Sequence, residues 1–528
     1  MVALLLLPRR WAAHARWFAL VPMLLQAAVF AKLIWEPCCP AALTAASDVP
    51  LSTEMFLFES RAWFDVSLGE AGRLQAAWML GLDGLNLLLV GLTLLILPIA
   101  VVASWNQTQS PRGYFALILL LEVALLGCFL ALDLLLFFLF FELMLVPMYF
   151  LIGVWGGEGR RYAAIKFFLY TLVGSVLILL ALLALVYSYH DPEATEIAGL
   201  TVRSFSYFTL ADPGNLLPGT LLTQLDWRLG CFMLLAVGFA IKLPAVPLHT
   251  WLPDAHVEAS TPISVVLAAV LLKVGGYGMI RLGLGLFPEG VIAYSPWLAG
   301  AGVLAILYAG LICLAQKDLK RMIAYSSVAH MGYVLLGIAS VTAVGLSGAS
   351  LQLFAHGLNS ALLFLIVGVL YERVHDRRIP SFQGLWARMP RFTAVVMVGF
   401  FAGMALPATV PFVAELLVFV GAFQSSQTLG LFSPWLVGAA FGGILLSAGY
   451  FIWTFQRMFF GPYQVRGGEA WDEKLTDLSL REGLSLGLLA VLIVLFGLLP
   501  QLLLDKIDPA IEAFAQRALL NGQRWFTP

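Results

Sequence analysis

LLAVGFAIKLPAVPLHTWL, residues 234–252, is a membrane-length apolar run that holds one lysine, Lys242, followed by two prolines, Pro244 and Pro247. About 20 apolar residues span a bilayer as a helix. Proline removes a backbone donor and interrupts the helical ladder. In hydrocarbon the freed carbonyls must find a protein or water partner. The stretch therefore reads as a membrane helix broken beside a buried charge. A second stretch, ALPATVPFVAELLVFVGAF (405–423), repeats the arrangement, with Pro407 and Pro411 ahead of Glu415.

The rest of the chain fits this reading. Of 528 residues, 61% are hydrophobic and 12% charged, and mean hydropathy is +0.91. A soluble domain carries about 25% charged residues. The net charge of -1 carries no signal for nucleic acid. Thirteen candidate spans follow, at roughly 17–34, 80–103, 114–132, 133–154, 162–189, 229–252, 261–285, 295–315, 319–342, 346–372, 394–424, 434–458 and 483–503. The fold class is an all-α polytopic membrane protein of about 13 transmembrane helices. The first apolar run, Met1 to Pro8, is too short to span and has no basic segment before it, so it does not read as a cleaved signal.

Basic residues set orientation. With thirteen spans, Arg9, Arg10, Arg16, Arg112, Arg160, Arg161, Lys317, Lys320, Arg321, Arg373, Arg377, Arg378, Arg388, Arg391, Arg457, Arg466 and Lys474 all fall on one side. The N-terminus is then cytoplasmic and the C-terminus outside. Long outside loops are expected near 35–79 and 190–228, and an amphipathic surface helix near 505–525.

Spans 114–285 form five helices with the fourth broken, and spans 295–458 form five more with the fourth broken. An odd number of crossings inverts the second unit, so the two are inverted repeats, a transporter arrangement. The expected divisions are 1–104 (N-terminal helices and outside loop), 105–290 and 291–460 (the repeats), and 461–528 (last transmembrane helix and amphipathic tail).

Ionisable residues near span centres carry the chemistry. They are Glu122, Glu142, Lys242, Lys273, His330, His356 and Glu415. A charge at mid-bilayer costs about 2.5–3.5 kcal/mol on insertion scales. Structural ion pairs between helices would explain two such residues. A mixed set on successive helices, two of them beside breaks, points instead to a proton path. Moving one charge in a low dielectric changes its neighbour's proton affinity, and histidine titrates near neutral pH.

The cysteines, Cys38, Cys39, Cys128, Cys231 and Cys313, form no cluster motif. No glycine-rich dinucleotide fingerprint follows a strand-like segment. The chain is expected to bind no redox cofactor or metal of its own.

Six stretches carry a resemblance: FFELMLVPMYFLIGVWGG (140–157), AIKFFLYTLVGS (164–175), GFAIKLPAVPLHTWLPDAHVEAS (238–260), LLKVGGYGMIRL (271–282), AQKDLKRMIAYSSVAHMGYVLLGI (315–338) and HGLNSALLFLIVGVLYERVHDR (356–377). They resemble the subunit M, or chain 4, family of bacterial complex I, over residues 80 to 505. The resemblance implies a proton-translocating subunit of NADH–quinone oxidoreductase. NADH, FMN, iron–sulfur clusters and quinone would lie on other subunits. The partners would be the antiporter-like subunits L and N and the lipid bilayer, in the bacterial inner membrane.

The family's glutamate–lysine pair matches Glu142 and Lys242, its central lysine Lys273, its path histidines His330 and His356, and its terminal glutamate Glu415. The charge row motivates a mechanism with a switchable Glu142–Lys242 ion pair, uptake from the cytoplasm by His330 or His356, and release near Glu415. The family has fourteen helices. Here only MVALLLLP stands where its first helix is expected. Its broken helix reads GLPGxxGFxGE, whereas this chain has Ala405-Leu406-Pro407-Ala408-Thr409-Val410-Pro411-Phe412-Val413-Ala414-Glu415. The same fold would also serve a Mrp-type sodium–proton antiporter subunit, or a membrane subunit of a proton-pumping hydrogenase or bicarbonate-uptake complex.

Overall fold

A computed structural model describes residues 14–35, 55–69 and 72–526. The Met1–Pro8 run and the Cys38–Cys39 pair lie outside the described residues.

The apolar runs form helices at the expected places. They are α1 (Ala15–Trp35), α2 (Leu87–Ala103), α3 (Pro111–Leu130), α4 (Leu134–Trp155), α5 (Arg160–Ser188), the pair α6 (Leu225–Lys242) and α7 (Trp251–Glu258), and α8 (Thr261–Leu284). There follow α9 (Pro288–Ala315), α10 (Leu319–Ala339), α11 (Ala343–Val374), the pair α12 (Pro390–Gly403) and α13 (Val410–Gln424), α14 (Pro434–Phe459), α15 (Leu480–Leu498) and α16 (Gln501–Gln523). Among the described residues, eleven helices are long and apolar enough to cross a membrane. α2 and the α6–α7 pair lie at the two remaining expected spans.

Polar side chains start and stop these helices. Asp133 separates α3 from α4; its carboxylate accepts from the backbone N–H of Leu135, Leu136 and Ala77. Asp318 and Thr342 cap α10 and α11, and Ser479 and Glu482 form a reciprocal capping box on α15. At the α6–α7 break, the Trp251 indole donates to the Ile241 carbonyl at 2.9 Å. Pro244 and the distorted turn leave that carbonyl outside the regular ladder, so the indole meets the demand for an internal partner.

One segment departs from the all-helical expectation. Strands β1 (Leu57–Ser67) and β2 (Arg73–Leu82) pair antiparallel from Leu57↔Leu82 to Ser67↔Arg73. β2 also pairs in parallel with β3 (Val202–Ser204), joining the two long loops. The expected span at 80–103 therefore begins as strand, and helix starts only at Leu87. Asp83 and Asn86 fold the chain between them. Asn86 Nδ2 donates to the Gly81 and Phe129 carbonyls, and Asp83 accepts from Leu85 N and Asn86 N.

Loop charges sort to two ends. At one, Arg377 pairs with Asp318 at 2.6 Å and donates to the Val257 carbonyl, Lys320 donates to the Ala259 carbonyl, and Arg373 pairs with Glu482. The basic loops that the thirteen-span count puts on one side are thus in mutual contact. At the opposite end lie the sheet and α16, the expected amphipathic tail. α16 is tied down by Ser347, whose hydroxyl donates to Asp508 at 2.6 Å, and Trp525 follows it over the Arg228 guanidinium.

Two buried arginine pairs lie beneath α16. Arg228 meets Glu289, and Arg281 grips both oxygens of Asp83. Removing one partner of a buried pair strands a charge and costs about 3–5 kcal/mol, whereas replacing both with apolar residues of similar volume is often neutral. Asp83→Asn, which keeps an acceptor for Leu85 N and Asn86 N, should therefore lower the unfolding temperature of the detergent-solubilised protein sharply. Asp83→Asn with Arg281→Met should restore most of it. A double variant no more stable than the single one would contradict the pairing.

Candidate functional site

Lys273 sits near the middle of α8, which like α11 has every residue of its apolar window buried in the bundle. Wide π-turns at Leu267–Leu271 and Met279–Leu284 flank it. Such turns shift backbone carbonyls off the regular ladder. The Ala268 carbonyl, inside the first, accepts a hydrogen bond from Lys273 Nζ. The widened turn thus supplies the acceptor that a fully buried ammonium requires.

From Lys273 a row of titratable groups crosses the core. Lys273 Nζ shares a 2.7 Å hydrogen bond with His356 Nδ1 on α11. A protonated lysine donates in this contact, and a neutral one accepts from the imidazole. The His356 ring lies 5.4 Å from that of His330 on α10, centroid to centroid. His330 Nδ1 then lies 3.1 Å from Glu415 Oε1 on α13, to which it donates when protonated there. Gln352 of α11 donates to the same oxygen at 3.2 Å. All four members of the row are at least 95% buried. Four of the sequence-predicted residues therefore meet, brought from four helices.

Lys242 and Glu142 stand apart from this row. Lys242 is buried with Nζ lacking a hydrogen-bond partner, and the Phe141 ring lies 4.1 Å from it. Glu142 is near enough to act on Lys242 electrostatically. Among the described residues, however, no ion pair joins them, and Glu142 Oε1 is also buried without a partner. The expected pair is thus open in this structure, with an aromatic face on the cation instead. Glu122 is buried on α3 with Oε1 unpartnered, and no hydrogen bond or ion pair among the described residues links it to the row.

Pro244 and Pro247 lie in the α6–α7 break directly after Lys242. Pro407 lies in the α12–α13 break, eight residues before Glu415. Asn359 of α11, with its amide oriented to satisfy both groups, donates to the Gly399 carbonyl and accepts from Gly403 N at the end of α12. Ala405 and Ala408 there take left-handed backbone angles, φ +53° and +76°. Alanine replaces glycine of the GLPG pattern at both positions, so the turn keeps a shape that only glycine adopts without cost.

Two groups escaped the sequence reading. His256 of α7 is wholly buried, stacked 4.5 Å from the Phe364 ring, with both ring nitrogens unpartnered. It lies within electrostatic reach of both Lys320 and Lys273. Lys320, read from sequence as a loop charge, is buried on α10 with Nζ on the Ala259 carbonyl. The two form a branch from the basic end toward Lys273. His330 and His356 lie inside the row and are only 4–5% exposed. The one local hint in the sequence was Lys320 lying two residues inside its helix cap rather than in the loop.

Among the described residues no group of three histidine, cysteine or carboxylate side chains is placed to hold a metal ion. The row can accept, share and release protons between neighbouring bases.

Comparison with known proteins agrees with this geometry. A family model described as NADH:quinone oxidoreductase/Mrp antiporter, TM, matches residues 131–458. NADH-quinone oxidoreductase subunit M of Rhodobacter capsulatus is 40% identical over 467 residues, covering 88% of this chain and 86% of that protein. The subunit of the same name from Pseudomonas aeruginosa is 42% identical, covering 82% and 81%. A chain of respiratory complex I from Thermus thermophilus superposes with a TM-score of 0.76 at 30% identity, covering 98% of this chain and 97% of that one. A chain of the Mrp complex from a Dietzia species shares the fold, with a TM-score of 0.71 at 21% identity.

Relieving the strain at 405 and 408 gives a direct test of the broken helix. Ala405→Gly and Ala408→Gly should each stabilise the folded protein by about 1 kcal/mol, since the left-handed cost to alanine is about 1–2 kcal/mol and glycine's extra chain entropy offsets part of it. Thermal unfolding in detergent reads this as a raised midpoint. A lowered midpoint in both variants would mean the backbone there is not left-handed.

Proposed function

This chain belongs to the NADH:quinone oxidoreductase/Mrp antiporter membrane-subunit family, and on that premise we propose that it is the proton-translocating M-type subunit of a respiratory NADH–quinone oxidoreductase. The observation that carries the reading is the buried contact row Lys273–His356–His330–Glu415. Electron transfer would take place on other subunits, which would hold NADH, FMN, iron–sulfur clusters and quinone. The antiporter-like subunits L and N would flank this chain. Its two five-helix units, 105–290 and 291–460, would act as inverted half-channels.

The orientation follows from the basic end, which the positive-inside rule assigns to the cytoplasm. The sheet, α16 and the C-terminus then lie outside. Uptake runs from the basic end through Lys320 and His256 to Lys273, a route supported by the burial and spacing of that branch. Lys273 and His356 share one proton across a short hydrogen bond, so transfer there needs no separation of charge over distance. His330 passes a proton to the Glu415 carboxylate, and Gln352 steadies that carboxylate through its donated hydrogen bond. Release occurs from Glu415 outward.

Lys242 and Glu142 act as the switch. In a low dielectric, closing that pair draws the Lys242 charge away from Lys273, and opening it returns the charge. A nearby positive charge lowers the proton affinity of Lys273 and drives its proton on to His356. The open arrangement described above is the state in which Lys242 is free to act on Lys273.

In an assembled complex, Lys242→Ala should severely cut NADH-driven proton pumping, because the switching charge is gone, with assembly intact. Undiminished pumping in that assembled variant would sink the mechanism. His256→Leu tests the uptake branch. Pumping should fall while Lys273→Ala adds little further loss in the double variant, because both residues would serve one route. Fully additive losses would place His256 outside the path. Ion specificity is read from the same vesicles. A pH gradient that forms unchanged without sodium supports protons as the cargo, and a strict sodium requirement supports the antiporter alternative.

A further inference from the structure

Several arginines at the basic end are held by carboxylates: Arg373 by Glu482, Arg377 by Asp318 and Arg378 by Asp376. Others have no carboxylate partner among the described residues, and two of these sit together. Arg457 lies in the last turn of α14, and Arg466 directly follows the short strand Gln464–Val465, which pairs with Phe382–Gln383. Both are exposed, and among the described residues neither pairs with a carboxylate. They line one open groove of about 1010 Å³ together with Trp453, Gln456 and Gln464, and no acidic residue lines it. Behind its wall, Ser381 donates to Asp376, whose charge Arg378 already neutralises. The groove therefore presents net positive charge with hydrogen-bonding amides beside it.

The same groove is continuous with an apolar surface. Phe441, Leu445 and Ile452 project from one face of α14, with Leu445 77% exposed. Helical spacing carries that face on to Gln456, at the groove. Trp453 lies 4.7 Å beneath the Arg457 guanidinium, and Phe460 is half-exposed beside it. Aromatic residues at this position mark the membrane–water boundary. An arginine whose stem crosses that boundary and whose head reaches polar surroundings suits a phosphate, which guanidinium binds through two parallel hydrogen bonds.

We propose that this groove binds an anionic phospholipid, its headgroup phosphate held by Arg457 and Arg466 and its acyl chains lying along Ile452 and Leu445. A free phosphate would use only the two arginines. A tethered one uses the charge and the apolar stripe together, and the two features meet at Gln456. Basic pockets at helix ends on the cytoplasmic face of membrane proteins recognise lipid headgroups by this chemistry.

A photoreactive residue at Gln464, on the groove rim, tests this in the assembled complex reconstituted in vesicles. In phosphatidylglycerol-containing vesicles it should capture that lipid, and in pure phosphatidylcholine vesicles capture should be weak. Arg457→Gln with Arg466→Gln should reduce phosphatidylglycerol capture about tenfold, given roughly 1 kcal/mol for each basic residue at a charged surface. Arg161→Gln, at an exposed arginine outside the groove, should leave capture unchanged. Millimolar inorganic phosphate should not displace the lipid. The proposal is overturned if the double variant captures phosphatidylglycerol as the wild type does, if inorganic phosphate alone removes the signal, or if the probe captures a neighbouring polypeptide instead. Should the double variant fail to assemble, the single variants Arg457→Gln and Arg466→Gln carry the test, each with a partial loss expected and no loss overturning the assignment.

Discussion

The structure depends on how one lysine amine is kept inside the bundle. Lys273 is wholly buried on a helix that is itself enclosed. A polar group in that position needs hydrogen-bond partners within reach. It has two, the Ala268 carbonyl and His356 Nδ1. The first exists because α8 opens into a π-turn one turn before the lysine. The second exists because α11 crosses where His356 faces inward. Moving either element would leave the lysine with one partner instead of two.

From that contact the rest of the site follows. His356 brings His330 into range, His330 holds Glu415, and Glu415 lies where the chain resumes helix after a break. Both breaks lie beside a buried ionisable group, Lys242 at the first and Glu415 at the second. Each is also secured by a side chain: the Trp251 indole at the start of α7 at the first, and the Asn359 amide of α11 at the second. The second is held in a left-handed turn by Ala405 and Ala408, residues that disfavour it. Surrounding packing therefore imposes the turn, and the energy for it comes from contacts elsewhere.

Much of this was legible from residues alone. Length and polarity of apolar runs placed thirteen crossings, and the prolines marked both breaks. The basic loops, assigned to one side by counting spans, touch one another in the folded chain, as in Arg377 with Asp318 and Lys320 with Ala259. The strand pair at 57–82 was not legible. The end of β2, with its Met79, Leu80 and Leu82, reads as the start of a membrane helix, and only the Asp83–Asn86 turn and its tie to the Phe129 carbonyl separate the two. His256 was missed because nothing local distinguishes a histidine at a loop edge from one enclosed by a distant helix.

The sequence by itself determined how often the chain crosses the membrane, where two crossings break, and which ionisable groups lie at depth. Those are local properties: hydrophobic length, a missing backbone donor, and a charge amid apolar neighbours. Only the tertiary structure decided which of those groups touch. Lys273 meets His356 across 83 positions and His330 meets Glu415 across 85, while Lys242 and Glu142, the pair most readily expected, are apart. Hydrogen bonding acts over about 3 Å. Whether two distant residues fall within it is set by helix packing, through turns and breaks that shift a side chain by more than that distance.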